Sequence, residues 1–316
     1  MDARITKQRL SNLISYDWIK IVVTIVVACL VLALLFAFTA ARPRRAQEFY
    51  VYAYTDVSTG SDFSSLKEEL EDGVFSYDIL SVGTEGFDGS MGSTTYTLRR
   101  SVGSGNVLFV TDNRVYETDE EGQIVLDEEG EPVVETESTL YTMASGSVVS
   151  KDSSTAGVVY DTKYYLDACE RYLAQFFGDD WRTSDVLDGG RTPEESFARN
   201  KKDNRFRSDE AYAQGVELEK ARLCKLREDL LAVEAAFEEG LLSHTCYENA
   251  LGEEESLGID VGGLSGLHDL VYYMDGEERA ADDIRLVLLF NGALAQDDLR
   301  FESISFLRYL VENYNG

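Results

Sequence analysis

Ile21–Ala41 reads IVVTIVVACLVLALLFAFTAA, with no charged residue, no Gly and no Pro. As a helix rising about 1.5 Å per residue it is about 30 Å long, the thickness of a bilayer's hydrocarbon core. That reading divides the chain into a tail at 1–20, a transmembrane helix at 21–41, a basic linker at 42–47 and a large domain at 48–316. Thr39-Ala40-Ala41 has the small residues of a cleavage site, but the apolar run exceeds the roughly 7–15 residues of a signal-peptide core. Val26-Val27-Ala28-Cys29 loosely matches a lipoprotein box, yet twelve uncharged residues follow Cys29, where a lipid-anchored chain turns polar.

The flanks set the expected orientation. Arg4, Lys7, Arg9 and Lys20 precede the run, and Arg42, Arg44 and Arg45 follow it, so the positive-inside comparison is nearly a tie. Tyr16 and Trp18 fall where an aromatic belt meets the headgroups. A short basic tail followed by one span behaves as an uncleaved anchor, which puts the N-terminus in the cytoplasm and the bulk of the chain outside.

The 316 residues hold 58 Asp and Glu against 29 Lys and Arg, a net charge of −29. Such an acidic surface repels phosphate backbones, which argues against a nucleic-acid partner. With 44% apolar residues, 18 Tyr and 15 Phe, the domain has the material for a core. Cys29, Cys169, Cys224 and Cys246 form no CxxC pair, so neither a disulfide framework nor a zinc ribbon is indicated.

Past the linker, short β-prone runs alternate with helical ones. Strands are expected at Glu48–Thr55, Val74–Val82 and Asn106–Thr111, with a helix at Phe63–Leu70 between the first two, giving an α/β lobe with parallel pairing. Within the Gly- and Ser-rich stretch 83–105, Thr94–Arg100 takes no assignment. Asp119-Glu120-Glu121-Gly122 recurs eight residues later as Asp127-Glu128-Glu129-Gly130, and neither unit has EF-hand spacing, so both read as hairpin turns. Two further short strands are expected between Val148 and Tyr160.

A helical segment follows. Tyr165, Cys169, Tyr172, Leu173 and Phe176 share a face that closes at Gly178. Thr192-Pro193-Glu194-Glu195 is a capping box, and Ser208 caps a long helix that stops at Gly240. The stripe Leu223, Leu226, Leu230, Val233 and Phe237 fits either an internal packing face or a short coiled-coil seam. Strands at Leu257–Val261 and Ile284–Phe290 and an amphipathic helix at Asp297–Asn313 close the chain. The expected class is therefore α/β, or α+β, with a lobe from 48–112 and 257–316 and a hairpin and helical insertion at 113–256.

No motif names a chemistry. His244, Cys246, Cys224 and His268 have no structural-zinc spacing, and neither GxSxG nor HExxH occurs. Ser64-Ser65-Leu66-Lys67 matches SxxK without a following KTG. Gly83, Gly86, Gly89 and Gly92 do not follow GxGxxG. The run Arg199–Arg207 is the one basic patch, read as an anion-binding surface or a solvated helix junction.

The succession Glu48–Thr55, helix, Val74–Val82, then Val102-Gly103-Ser104-Gly105-Asn106-Val107-Leu108-Phe109-Val110-Thr111-Asp112 resembles the first lobe of extracellular solute-binding proteins of the type 2 periplasmic-binding class. Ser303-Ile304-Ser305-Phe306-Leu307-Arg308-Tyr309-Leu310 is similar to their C-terminal helix, which returns to that lobe. The chain also resembles membrane-anchored Firmicutes proteins of unassigned function. The resemblance implies a tethered, non-enzymatic ligand-binding module. Ligands of α/β sheets sit beyond the carboxyl ends of strands, which selects Thr55, Asp56, Ser58, Thr111, Asp112 and Asn291. The expected partners are a bilayer through Ile21–Ala41 and a small molecule, peptide or envelope protein, with no cofactor or metal. The second reading is an assembly subunit of an envelope complex, docking through the helix at 209–240 or through the span.

Overall fold

The computed structural model describes residues 7–39, 43–146, 149–150, 159–198, 204–248, 252–290 and 300–315. It resolves into two units, residues 1–42 and 43–316. In the first, helix α1 (Lys7–Thr39) runs without interruption. From Trp18 to Leu35 no residue is buried, and Leu30 is 56% exposed. A helix apolar all round and uncovered by protein is long and apolar enough to cross a membrane.

The second unit begins with β1 (Glu48–Ala53) and the two-residue β2 (Ser58–Thr59). A helical stretch then runs from Asp62 to Val74, with α2 (Leu66–Glu69) at its centre. β3 (Ser81–Gly86), α3 (Gly92–Ser101) and β4 (Val107–Thr111) follow. β5 (Val115–Tyr116) and β6 (Val134–Thr136) frame the acidic repeats, before α4 (Thr139–Gly146), β7 (Val149–Ser150) and β8 (Val159–Tyr160). Next come α5 (Thr162–Phe177), α6 (Pro193–Ala198) and the 30-residue α7 (Asp209–Glu238). β9 (Ser243–Glu248), β10 (Glu254–Asp260), α8 (Leu267–Leu270), β11 (Val271–Asp275), β12 (Glu278–Ala280), β13 (Ile284–Leu288) and α9 (Glu302–Tyr314) complete it.

Six strands form the main sheet in the order β3-β1-β4-β13-β10-β9. β1 is parallel to both β3 and β4, while β13 runs antiparallel to β4 and to β10. Alternation sorts side chains to two faces. Val51, Ala53, Val107, Phe109, Leu286 and Leu288 pack one core with α5, α7 and α9. Tyr52, Leu108, Val110 and Val287 pack the other with Phe87 and Leu140. Coverage on both faces explains why NVLFVT and IRLVLLF are nearly unbroken apolar runs. The class is mixed α/β, with its sheet drawn from both expected lobe segments.

Three expectations shift. The second strand begins at Ser81 rather than Val74, because Phe75 and Ile79 enter the core from irregular backbone instead. Thr94–Arg100, unassigned from sequence, lies within α3, where Tyr96 packs edge-on against Tyr54 and Phe87 at 5.1 and 5.4 Å. Residues 243–248, assigned to the insertion with no strand expected, form β9 at the edge of the main sheet, paired with β10. The caps hold: the Thr192 hydroxyl accepts from Glu195 N–H and Glu195 from Thr192 N–H, both at 3.2 Å, and the Ser208 hydroxyl accepts from Ala211 N–H. The stripe of α7 is core, with Leu223, Leu226, Leu230 and Val233 all buried.

The acidic repeats close on one another. Val125 N–H donates to Glu117 C=O (2.8 Å), Val133 to Val125 (2.9 Å) and Glu117 back to Val133 (2.9 Å), a ring with the eight-residue period of the sequence. Asp119 Oδ1 accepts from Glu121 and Gln123 N–H, and Asp127 Oδ1 from Glu129 and Glu131 N–H. Both are turns built by an aspartate side chain, as their sequences predict.

Candidate functional site

The chain leaves β1 through Phe63, Leu66 and Leu70 on one face of the sheet and passes from β3 to β4 through α3 and Tyr96 on the other. Strand order therefore reverses at β1, and the β1/β4 boundary is a topological switch point. At its carboxyl end Asp56 reaches across to β4, where Oδ2 accepts from Thr111 N–H at 3.0 Å and from the Thr111 hydroxyl at 2.5 Å. Its other oxygen, Oδ1, is buried with no hydrogen-bond partner.

Asp112, next along, accepts from the Tyr247 hydroxyl at 2.5 Å and lies 3.9 Å from Arg285 Nε. Because β13 is antiparallel to β4, its start meets the end of β4, with Ile284 opposite Thr111. That register brings Arg285 to Asp112 and, at 3.1 Å, to Asp260 of β10. Asp112 N–H donates to Asp283 C=O, and Tyr273 donates to Asp282 (2.7 Å) and Asp283 (3.1 Å). The rim thus sets Asp112, Asp260, Asp282 and Asp283 around Arg285, with Asp56 beside it on Thr111. Burial, and then the neighbouring Asp282, raise the Asp283 carboxyl against the opposing hydrogen bond from Tyr273. Burial and the Asp112 carboxylate push the Tyr247 phenol up to about 12.

Arg114 borders this rim, stacked over Tyr247 and Tyr141 at 4.7 and 5.3 Å and 3.1 Å from Glu137. Thr55 is exposed beside the start of α3. Gly92 permits that approach, since a Cβ there would lie 2.0 Å from Phe87 C=O and 2.8 Å from Thr55 Cγ2. Ser58 is on β2, paired with Tyr272 of β11, and belongs to a separate small sheet. Asn291 lies outside the described residues. Of the expected six, Asp56, Thr111 and Asp112 form one cluster, with Thr55 adjacent. Tyr247, Arg285 and Asp260 were missed, because only the sheet's register joins them to Asp112.

Other constellations resolve into structure. Ser64 donates to Ser61 C=O, while Lys67 lies 4.0 Å from Glu71, so the SxxK residues serve local contacts. His244 Nδ1 shares hydrogen bonds with the Thr162 (2.8 Å) and Ser256 (3.0 Å) hydroxyls, and its ring stacks on Phe237. Ser256 is 1% exposed, out of a substrate's reach. Among the described residues no three His, Cys, Asp or Glu side chains converge as a metal site. Residues 199–203 of the basic run lie outside the described residues, and Arg205 donates to Tyr77 C=O and stacks on Phe206.

No family model matches the chain, and neither a search of curated proteins nor one of solved structures returned a match.

Proposed function

We propose that the chain is a single-pass membrane protein whose second unit is a non-enzymatic, extracytoplasmic binding module, with its ligand seated at the carboxyl end of β1 and β4. The observation that carries this reading is the unsatisfied Asp56 Oδ1 at the point where strand order reverses. An acceptor-only oxygen there selects a hydrogen-bond donor, and a rim of aspartates around one arginine selects a cation. The ligand class is an amine-bearing solute or peptide, in keeping with the resemblance to type 2 solute-binding lobes. The apolar helix α1 is the tether, with the N-terminus inside.

Calorimetric titration of the full chain in detergent micelles with spermidine tests the class. A saturable heat that weakens at least tenfold in Asp56→Asn is expected. Absence of binding, or identical binding in the variant, overturns it. Protease treatment of intact cells tests the placement, and protection of the domain overturns that.

The second reading is an assembly subunit. Burial of the α7 stripe removes that face as a docking surface. What favours the reading instead is the acidic ring at 115–137, where Val115, Ile124 and Leu126 are each about half exposed. Crosslinking in intact membranes that captures a partner through Ile124 or Leu126, with no effect of Asp56→Asn, would select it.

A further inference from the structure

Beneath α9, on the core side of the sheet, lies a small, partly open cavity lined among others by Asp78, Arg222, Leu226, Arg300, Glu302 and Ser305. Its free space is ≈ 10 Å³, the room one water molecule occupies. Asp78 is 5% exposed, and neither of its carboxylate oxygens has a hydrogen-bond partner. The nearest guanidinium atoms, Arg300 Nε and Arg222 Nε, are 3.8 and 3.9 Å from Asp78 Oδ2. Glu302 Oε1 is buried beside the same cavity and is also unpartnered. Buried acceptors of this kind are satisfied by ordered water in folded proteins.

Both arginines are committed elsewhere. Arg222 donates to both Glu219 oxygens at 2.9 and 3.0 Å, and Arg300 donates to them at 2.8 and 3.0 Å. The cluster therefore sets three carboxyls, Asp78, Glu219 and Glu302, against two guanidiniums. One proton balances it.

We propose that this cavity binds one water molecule and one proton, the water donating to Asp78 and the proton resting on Glu302. Together they join the first turn of α9 to α7 and to the segment before β3. Glu302 is the carboxyl that keeps the proton. Burial and the Asp78 carboxylate push it up to about 8, against Arg222 and Arg300. Glu219, on α7, is fully engaged and stays ionised. From the β8 and α5 side, Tyr160 and Tyr165 face Glu302, and burial keeps both phenols protonated. Tyr172 accepts from Arg222.

The sign of the linkage follows. A carboxyl raised in the folded state contributes fully below its unfolded value, near 4.5, and that contribution drains away as pH rises to about 8. The test compares the full chain in detergent micelles with Glu302→Gln and Asp78→Asn. Infrared difference spectra are expected to show a protonated carboxyl band that titrates near pH 8, vanishes in Glu302→Gln, and titrates at least tenfold more acidic in Asp78→Asn. Thermal midpoints should fall with rising pH in the wild type and stay nearly level in Glu302→Gln. A high-resolution crystal structure should place a water within about 3.2 Å of Asp78. A band that survives Glu302→Gln, a titration unmoved by Asp78→Asn, or an empty cavity at high resolution overturns the proposal. The Asp78→Asn spectrum decides it even if Glu302→Gln fails to fold.

Discussion

Two regions of this domain place carboxylates against arginines, and they do so in opposite ways. At the sheet's rim, Asp112 and Asp260 share Arg285, and each has a second donor, from Tyr247 or from Gly262 N–H. One Asp56 oxygen there is unclaimed. Under α9, Glu219 has no exposure and accepts from Ser196, Tyr77, Arg222 and Arg300. Glu219 is over-determined and holds four chain segments together. The rim's unclaimed oxygen lies where strand order reverses, which suits a ligand, whereas those of the interior, on Asp78 and Glu302, lie beside the small cavity under α9.

The widest separation between the two is expected on truncation. Glu219→Ala strands two buried guanidiniums and should cost about 3–5 kcal/mol, the usual penalty for breaking a buried pair. Asp112→Ala leaves Arg285 its contacts with Asp260 and Asp282 C=O, and should cost about 1 kcal/mol. Urea unfolding of the full chain in micelles checks both. Equal losses would break the comparison.

Acid should expose the same contrast. Burial raises the Glu219 carboxyl, but Arg222, Arg300 and the Ser196 hydrogen bond outweigh it and hold it at about 2. A depressed carboxyl contributes stability above its unfolded value, near 4.5, and loses it as pH falls through 2. The drop should approach 3 kcal/mol, at about 1.4 kcal/mol per pH unit. Denaturant midpoints measured from pH 5 downward should fall in the wild type and flatten in Glu219→Gln. A variant that follows the wild-type curve would place the acid sensitivity elsewhere.

How much of this was legible in the chain depends on the distance in sequence between the interacting groups. NVLFVT and IRLVLLF announce strands covered on both faces, and the caps at Thr192 and Ser208 are local hydrogen bonds written in adjacent residues. α3 escaped because Gly, Ser and Thr are poor helix formers, and the packing of Tyr96 between Tyr54 and Phe87 supplies what propensity does not. The Asp56–Thr111 contact follows from the rule for strand ends. Its neighbours Tyr247 and Arg285 do not, since Tyr247 reaches Asp112 across 135 residues and Arg285 reaches it across an antiparallel register. Glu219 and Arg222 look like an ordinary solvated pair at i,i+3. Asp78 and Arg300, from two distant segments, make them interior.

The smallest effect sharpens the comparison from the exposed side. Asp119 and Asp127 occupy equivalent places in the acidic ring, each accepting two backbone N–H groups in full solvent contact. Water replaces a lost acceptor there, so Asp119→Ala should cost about 0.5–1 kcal/mol. The ring itself is tied by backbone bonds from Glu117, Val125 and Val133, which neither substitution removes. Asp119→Ala and Asp127→Ala should therefore add nearly independently in the double variant, within about 0.5 kcal/mol. A double variant that loses much more than the sum would mean the two turns brace one another through the ring. The acidic lobe would then be a rigid unit rather than two separate turns, and a stronger candidate for the partner-docking surface that the second reading requires.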